Sequence, residues 1–257
     1  MNPLDSCNAK LRQAEGHTKA LHEEIRAFHK RGVIRIGREP DPESSDYVFF
    51  VKASEEPPIL EWGCRVGDVI HNLASALDHL TWQLVISCKG EQVAEDNARV
   101  IYFPVALSRD DFNSLAVVQM IDPVHVATLG GCQPYHRGDR KRAEGHPLAT
   151  LKHLSRIDKH RIVHTSYVAL REFPLTARAV KDYEITRIIP PVAGTPLKDG
   201  QELARVKGVI TGDEPEIEGH AKLTGDIALS DGTPLQHKLD QLCRAVGHVL
   251  NQFKTAL

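Results

Sequence analysis

The chain has no GxxxxGK[ST] loop, no GxGxxG after a strand and no GxSxG elbow. A nucleotide-driven motor, a kinase, a Rossmann dehydrogenase and an α/β-hydrolase are therefore not expected. Its five cysteines (Cys7, Cys64, Cys88, Cys132 and Cys243) are odd in number and scattered, and no two form a CxxC pair. That usage predicts reduced thiols in a cytoplasm rather than a disulfide or zinc framework, and no cysteine has the local His context of a nucleophile. No apolar run reaches membrane-spanning length, and MNPLDSCNAKLRQ lacks a basic-then-apolar signal; no membrane partner is expected. Internal repeats and low-complexity segments are also missing. A formal charge of −2 does not mark a nucleic-acid binder at the whole-chain level, although local basic patches are compatible with it. What remains is 257 residues with 41% hydrophobic and 26% charged content, enough for a soluble globular protein with a substantial core.

The most telling absence is local. From Val66 through Ser87 there is no Lys, Arg or Glu. At helical period Val66, Ile70, Leu73, Leu77, Leu80 and Leu84 form one stripe. The opposite stripe carries Asp68, His71, Asn72, Ser75, Asp78, His79 and Trp82. An ordinary outer helix face carries long charged residues, so this one reads as covered on both sides. Covered polar groups need partners, which makes the stripe a structural network or a site. His71, Ser75 and Asp78 align at i, i+4 and i+7, and Ser75 and His79 are four apart. A carboxylate beside an imidazole fixes its tautomer and suits a general acid or base. The plainer alternative is hydrogen bonding that holds the register of a neighbouring helix.

Around this helix the chain reads in order. Residues 4–30 form a long helix with Leu4, Cys7, Leu11, Ala14, Thr18, Leu21, Ile25 and Phe28 as a packing seam, meeting another helix of the chain or its copy in a dimer. Val33–Ile36 and Tyr47–Ala53 read as a hairpin around EPDPESSD. The central helix begins near Ile59 or after Gly67. Arg99–Phe103 reads as a short strand, Ser108 and Asp122-Pro123 as helix starts, and 132–146 as a polar loop. Pro147 opens a helix ending near Arg161. From Ile162 the runs IVHTSYVAL, YEITRII, LARVKGVI and His220–Leu229 predict an antiparallel sheet over 162–230, and Pro234 opens a last helix. The expected class is α+β, a single domain over 1–257 with a helical part to about 161 and the sheet plus the C-terminal helix beyond it.

In the helix from Pro147, Leu148, Leu151, Leu154, Ser155 and Asp158 share a face, so Asp158 points where the leucines point. Two arrangements would satisfy it. It pairs locally with Arg161, or both face the polar stripe and build a cluster of His71, Asp78, His79, Asp158 and Arg161. His160 and His164 have a metal-compatible i, i+4 spacing, but no HExxH glutamate accompanies them; with His153 they read as solvent-facing, and no cofactor is expected. His136 and His146 flank a basic run in which Arg137, Arg140, Lys141 and Arg142 could contact phosphates, with Tyr135 and His136 beside them. The plainer alternative is a solvated loop, since Asp139 and Glu144 are interleaved.

The strings NPLDSCNAKL, EEPPILEWGCRVGDVIHNLASALDHLTWQLV, QPYHRG and HPLATLKHLSRIDKHRIVH resemble those of a large bacterial family, common in actinobacteria and without an assigned activity. More distantly the chain is similar to HEPN domains, helical bundles that often act as metal-independent RNases and are usually completed in a dimer. Their motif is an Arg followed four to six residues later by a His. Relatives often read HNLRSALDHL; here Ala74 stands at the Arg position and His79 at the His. Arg65 and His71 have an allowable spacing, with Gly67 between them. The resemblance implies a HEPN-like bundle and an RNA-directed protein working as a metal-independent endoribonuclease. His79 would be the general base or acid for attack by a ribose 2′-hydroxyl, His71 or Asp78 would orient it, and Arg161 would stabilise the phosphorane. The Arg137–Arg142 loop would hold the RNA backbone, and a homodimer is expected. The alternative is a catalytically inactive binding or dimerisation module; a metal-dependent hydrolase ranks third.

Overall fold

The computed structural model describes residues 2–163, 165–169, 175–190, 192, 194–221, 225–229 and 232–254. The class is mixed α and β, with antiparallel strands, and the chain divides into two compact units. One holds residues 1–21, 62–163 and 236–257; the other holds 22–61 and 164–235. The division does not follow chain order. The last helix joins the helical unit and the early hairpin joins the strands, unlike the split expected near residue 161.

The helical unit is built on α1 (Asp5–Lys30, its first turns), α2 (Ile59–Lys89, from Trp62), α7 (Pro147–Asp158) and α8 (Leu235–Asn251). Shorter helices α3 (Glu91–Asp96), α4 (Arg109–Ser114), α5 (Pro123–Gly131) and α6 (Arg140–Glu144) connect them. The seam read from the sequence is buried at Leu4, Cys7, Ala14, Thr18 and Leu21, and so is the α2 stripe Val66, Ile70, Leu73, Leu77, Leu80 and Leu84. Each such aliphatic side chain contributes about 1.5–3 kcal/mol on leaving water. α8 adds Leu239, Leu242, Val246, Val249 and Leu250 to this core, and Phe253 in the turn after it joins them. Thr18 Oγ1 lies 3.9 Å from Cys243 Sγ, and the His125 and Phe253 rings are 5.9 Å apart. These contacts explain why α8 packs with the helices.

Helix starts follow their side chains. Ser108 accepts from the Asp111 N–H, Asp122 from Val124, Asp139 from Arg142 and His146 Nδ1 from Leu148, with Pro123 and Pro147 in first turns. Three expectations are corrected. Arg99–Phe103 is not a strand but a 3₁₀ turn (Ala98–Val100) followed by an extended run. Side chains hold that run in place of a ladder, since the Phe103 N–H donates to Asp78 and the Ala106 N–H to Gln133. The 132–146 segment contains a 3₁₀ turn (Pro134–Arg137) and the capped α6. α7 ends at Asp158, so Arg161 lies past it.

In the other unit β1 (Ile34–Pro40), β2 (Tyr47–Ala53), β5 (Tyr183–Ile189) and β6 (Glu202–Ile210) form a sheet in the order β1-β2-β6-β5. β3 (Thr165–Ala169) pairs with β8 (Gly225–Leu229), and β4 (Leu175–Lys181) pairs with β7 (Glu216–Ala221); every pairing is antiparallel. The sheet expected over 162–230 thus recruits the early hairpin, and His220–Leu229 belongs to two strands. β4 had no clear sequence signal: LTARAVK places mostly exposed positions on both faces. Phe49, Tyr183, Ala204, Val206 and Ile217 make the core of this unit. The long EPDPESSD connection is closed by the Arg205 guanidinium, which pairs with Asp41 and reaches Asp46 at 3.5 Å. That guanidinium holds Asp41 below the ordinary carboxylate range.

Tyr183 lies across Gly208, donating to the Ser45 carbonyl at 2.8 Å. A Cβ on Gly208 would overlap both the Tyr183 ring and the Glu184 carbonyl oxygen. Gly208→Ala is therefore expected to lower stability by about 1–3 kcal/mol in urea unfolding. Gly16→Ala, in the middle of α1 with open space where the methyl would go, is expected to raise it by about 0.5–1 kcal/mol.

Candidate functional site

The polar stripe of α2 is half-covered, not covered as its composition suggested. Asp68 and His71 are exposed, while Asn72, Ser75, Asp78, His79 and Trp82 are half-buried. The stripe also divides into two edges. His71 and Asp78 lie on the edge toward α7; Asn72 and His79 lie on the edge toward α1, where Lys10 Nζ reaches Asn72 Oδ1 at 3.4 Å. Asp78 and His79, one residue apart, are separated by about 100° around the helix axis. The ring of His71 lies 3.5 Å from the Ser75 hydroxyl.

Gly67 sets how α7 meets this surface. The Asp158 carboxylate sits against the Gly67 backbone, where any Cβ would overlap it. This is the inward Asp158 anticipated from its place among leucines. Burial pushes its pKa up, the neighbouring His71 charge draws it down and Asp68 pushes it up again. Asp158 forms no ion pair with Arg161 among the described residues; Arg161 is exposed beyond the helix end. The chain thus brings Asp158 to the His71 edge and leaves Arg161 out of the expected cluster.

Asp78 accepts the Phe103 N–H at 2.9 Å, which makes it a tether for the extended run after α3. Burial raises its pKa, the Phe103 bond and the charges of Lys159, His79 and His71 lower it, and burial wins. His79 has its pKa lowered by burial and by the Lys10 charge, against the pull of Asp78. Both effects favour the neutral imidazole, with one nitrogen as acceptor and the other as donor. Burial and Arg137 likewise keep His146 neutral, as its role as N-cap acceptor requires.

Between α2 and α7 lies a cleft of about 540 Å³ that sequence reasoning missed. Ala74, Leu77, Phe103, Val105, Leu148 and Leu151 supply much of its apolar wall. Lys152 and Arg156 of α7 and Lys159 at its C-cap line it as well, three cations at i, i+4 and i+7. Their spacing was legible in the sequence, but the wall opposite them comes from segments distant in the chain.

The basic loop is built differently from a phosphate grip. Arg140 pairs with Glu144 at 2.9 Å and Arg142 with Asp139 at 3.4 Å, both exposed. Tyr135 packs edge-on to Phe112 with ring centroids 6.2 Å apart, lies under the Arg109 guanidinium and donates to the Gly130 carbonyl at 3.2 Å. His136 Nε2 is 3.0 Å from the same carbonyl. Arg137 and Lys141 are exposed. His153 and His160 are exposed; His164 lies outside the described residues. Among the described residues no group of three or more His, Cys, Asp or Glu stands where it could hold a metal ion.

In comparisons with protein-family models, curated proteins and solved structures, nothing matches the chain. Its chemistry has to be argued from its own geometry.

Because burial raises the Asp78 pKa above its unfolded value, the ionised carboxylate costs stability. That cost is fully present above the folded pKa and is relieved as pH falls through it toward the ordinary aspartate range. Asp78→Asn keeps an oxygen for the Phe103 N–H and removes the charge. It should match or exceed wild-type stability at pH 7 and lose that advantage as pH is lowered, in urea titrations at several pH values. Asp78→Ala strands the Phe103 N–H and should cost about 1–3 kcal/mol throughout.

Proposed function

We propose that the helical unit is a binding module that works through the face shared by α2 and α7, and that it does not cut RNA. The observation that carries this reading is Ala74. Where a HEPN-type motif needs a guanidinium, a methyl group lines an apolar cleft. Arg161, the spatial substitute, is exposed beyond α7. In-line attack on a phosphodiester needs a base and a cation aimed at one phosphate. Here Asp78 is committed to a backbone N–H, and His71 and His79 lie on different edges of α2. Arg140 and Arg142 are partnered by neighbouring acids, which weakens the loop as an RNA grip.

One observation favours a second reading, the HEPN-like endoribonuclease. His79 is held neutral close enough to Lys10 to feel its charge, so a base and a cation do share the α1 edge. In that reading Lys10 takes the part of the missing arginine, and a homodimer completes the site.

No described helix is long and apolar enough to cross a membrane. The five cysteines are free thiols, which supports a cytoplasmic placement as part of the proposal.

The test is incubation of total RNA and folded tRNA with wild type, His79→Ala and Lys10→Ala in EDTA. Intact RNA with all three proteins is the expected result. Cleavage by wild type that both substitutions abolish would replace the binding module with the nuclease.

A further inference from the structure

The α2–α7 cleft combines two features that select one kind of ligand. Its volume of about 540 Å³ lies within the range of small-molecule sites, roughly 300–1,000 Å³. Its walls are mostly aliphatic and aromatic side chains, with Tyr102 and Ser155 as the uncharged polar groups. Its charge is one-sided. Lys152, Arg156 and Lys159 line it, and Asp78 is the one acidic side chain among its described lining residues.

None of the three cations is in a salt bridge among the described residues. Lys152 Nζ donates to the Val105 carbonyl at 2.9 Å, which anchors the ammonium at the cleft while leaving two of its three N–H groups for a ligand. Lys159 Nζ lies 5.7 Å from the centroid of the Tyr102 ring, placed by a cation–π contact rather than by an ion pair. Arg156 has no hydrogen bond or ion pair among the described residues, and its forked guanidinium suits a carboxylate. Asp78 offsets only part of this charge: it interacts with Lys159 and accepts the Phe103 N–H through Oδ1, one acid against three cations.

We propose that this cleft binds a small amphipathic anion, a carboxylate on an apolar body such as a medium chain or an aryl-alkyl group. The apolar body lies along Leu77, Leu148 and Leu151, and the carboxylate meets Arg156 and Lys159 at the rim. The inference rests on the binding-module reading and adds the chemical class of the ligand. A peptide backbone would meet few uncharged polar partners in this half-open cleft, whose volume suits a small molecule. A cationic ligand would meet three like charges.

The experiment is displacement of 1-anilinonaphthalene-8-sulfonate from the full chain by octanoate, octanol and octylamine, followed by fluorescence. Octanoate should compete at least tenfold more strongly than octanol, and octylamine more weakly still. Arg156→Glu/Lys159→Glu should weaken octanoate at least tenfold and improve octylamine. Ala74→Phe, which fills the cleft from α2, should abolish displaceable binding while circular dichroism and urea unfolding stay those of a folded protein. Octanol competing as well as octanoate would overturn the anion assignment and leave the binding module standing. Probe binding unchanged by Ala74→Phe, or no displaceable binding to wild type, would overturn the cleft as the site. RNA cleavage bears on the functional reading alone, so the two failures are distinguishable.

Discussion

The helical unit depends on a single close approach. At Gly67 the end of α7 comes against the backbone of α2, with the Asp158 carboxylate in the space a side chain would fill. A Cβ there would displace the Asp158 carboxylate from this position. Further along, α7 and the edge of α2 that carries Ala74, Leu77 and Asp78 line one cleft. Gly67 leaves room for the Asp158 carboxylate, and the small Ala74 side chain lines the cleft.

Electrostatics in this region is governed by burial more than by pairing. Asp78 and Asp158 are raised first by loss of water, and His79 and His146 are lowered for the same reason. Each of these shifts favours the neutral form. Two of the groups have a structural task that explains their place: Asp78 tethers the Phe103 backbone and His146 caps α7. Of these four, Asp158 and His79 lack a side-chain hydrogen bond among the described residues; His79 is on the α1 edge of α2, whereas Asp158 faces α2 from α7. Catalysis needs such groups to converge. Binding needs a shaped apolar surface and a charge to orient the ligand, and the cleft has both.

The long helices and the hairpin were legible in the sequence because they repeat a short rule many times. Leu4 to Phe28 and Val66 to Leu84 hold one period over several turns, and burial agrees with nearly every position. Ser108, Asp122 and Pro147 marked helix starts because capping is a local event. The inward turn of Asp158 was legible too, from its place on a leucine face. Short elements were less so. Residues 99–103 have strand-like composition, but the Val100 and Tyr102 N–H groups donate to nearby backbone carbonyls and the Phe103 N–H to the distant Asp78. β4, mostly exposed, has no alternation to read.

By itself, then, the sequence determined which segments are helical, which faces are apolar and that α2 carries a polar face without long charges. Those are properties of residues within a few turns of one another. Tertiary structure alone decided which polar groups meet. It split the α2 stripe between α1 and α7, spent Asp78 on a distant backbone N–H, left Arg161 exposed and set three cations over a cleft walled by residues 74 to 159. The reason is physical: a hydrogen bond or a cavity wall joins groups far apart in the chain, and periodicity carries no information about distances of that kind.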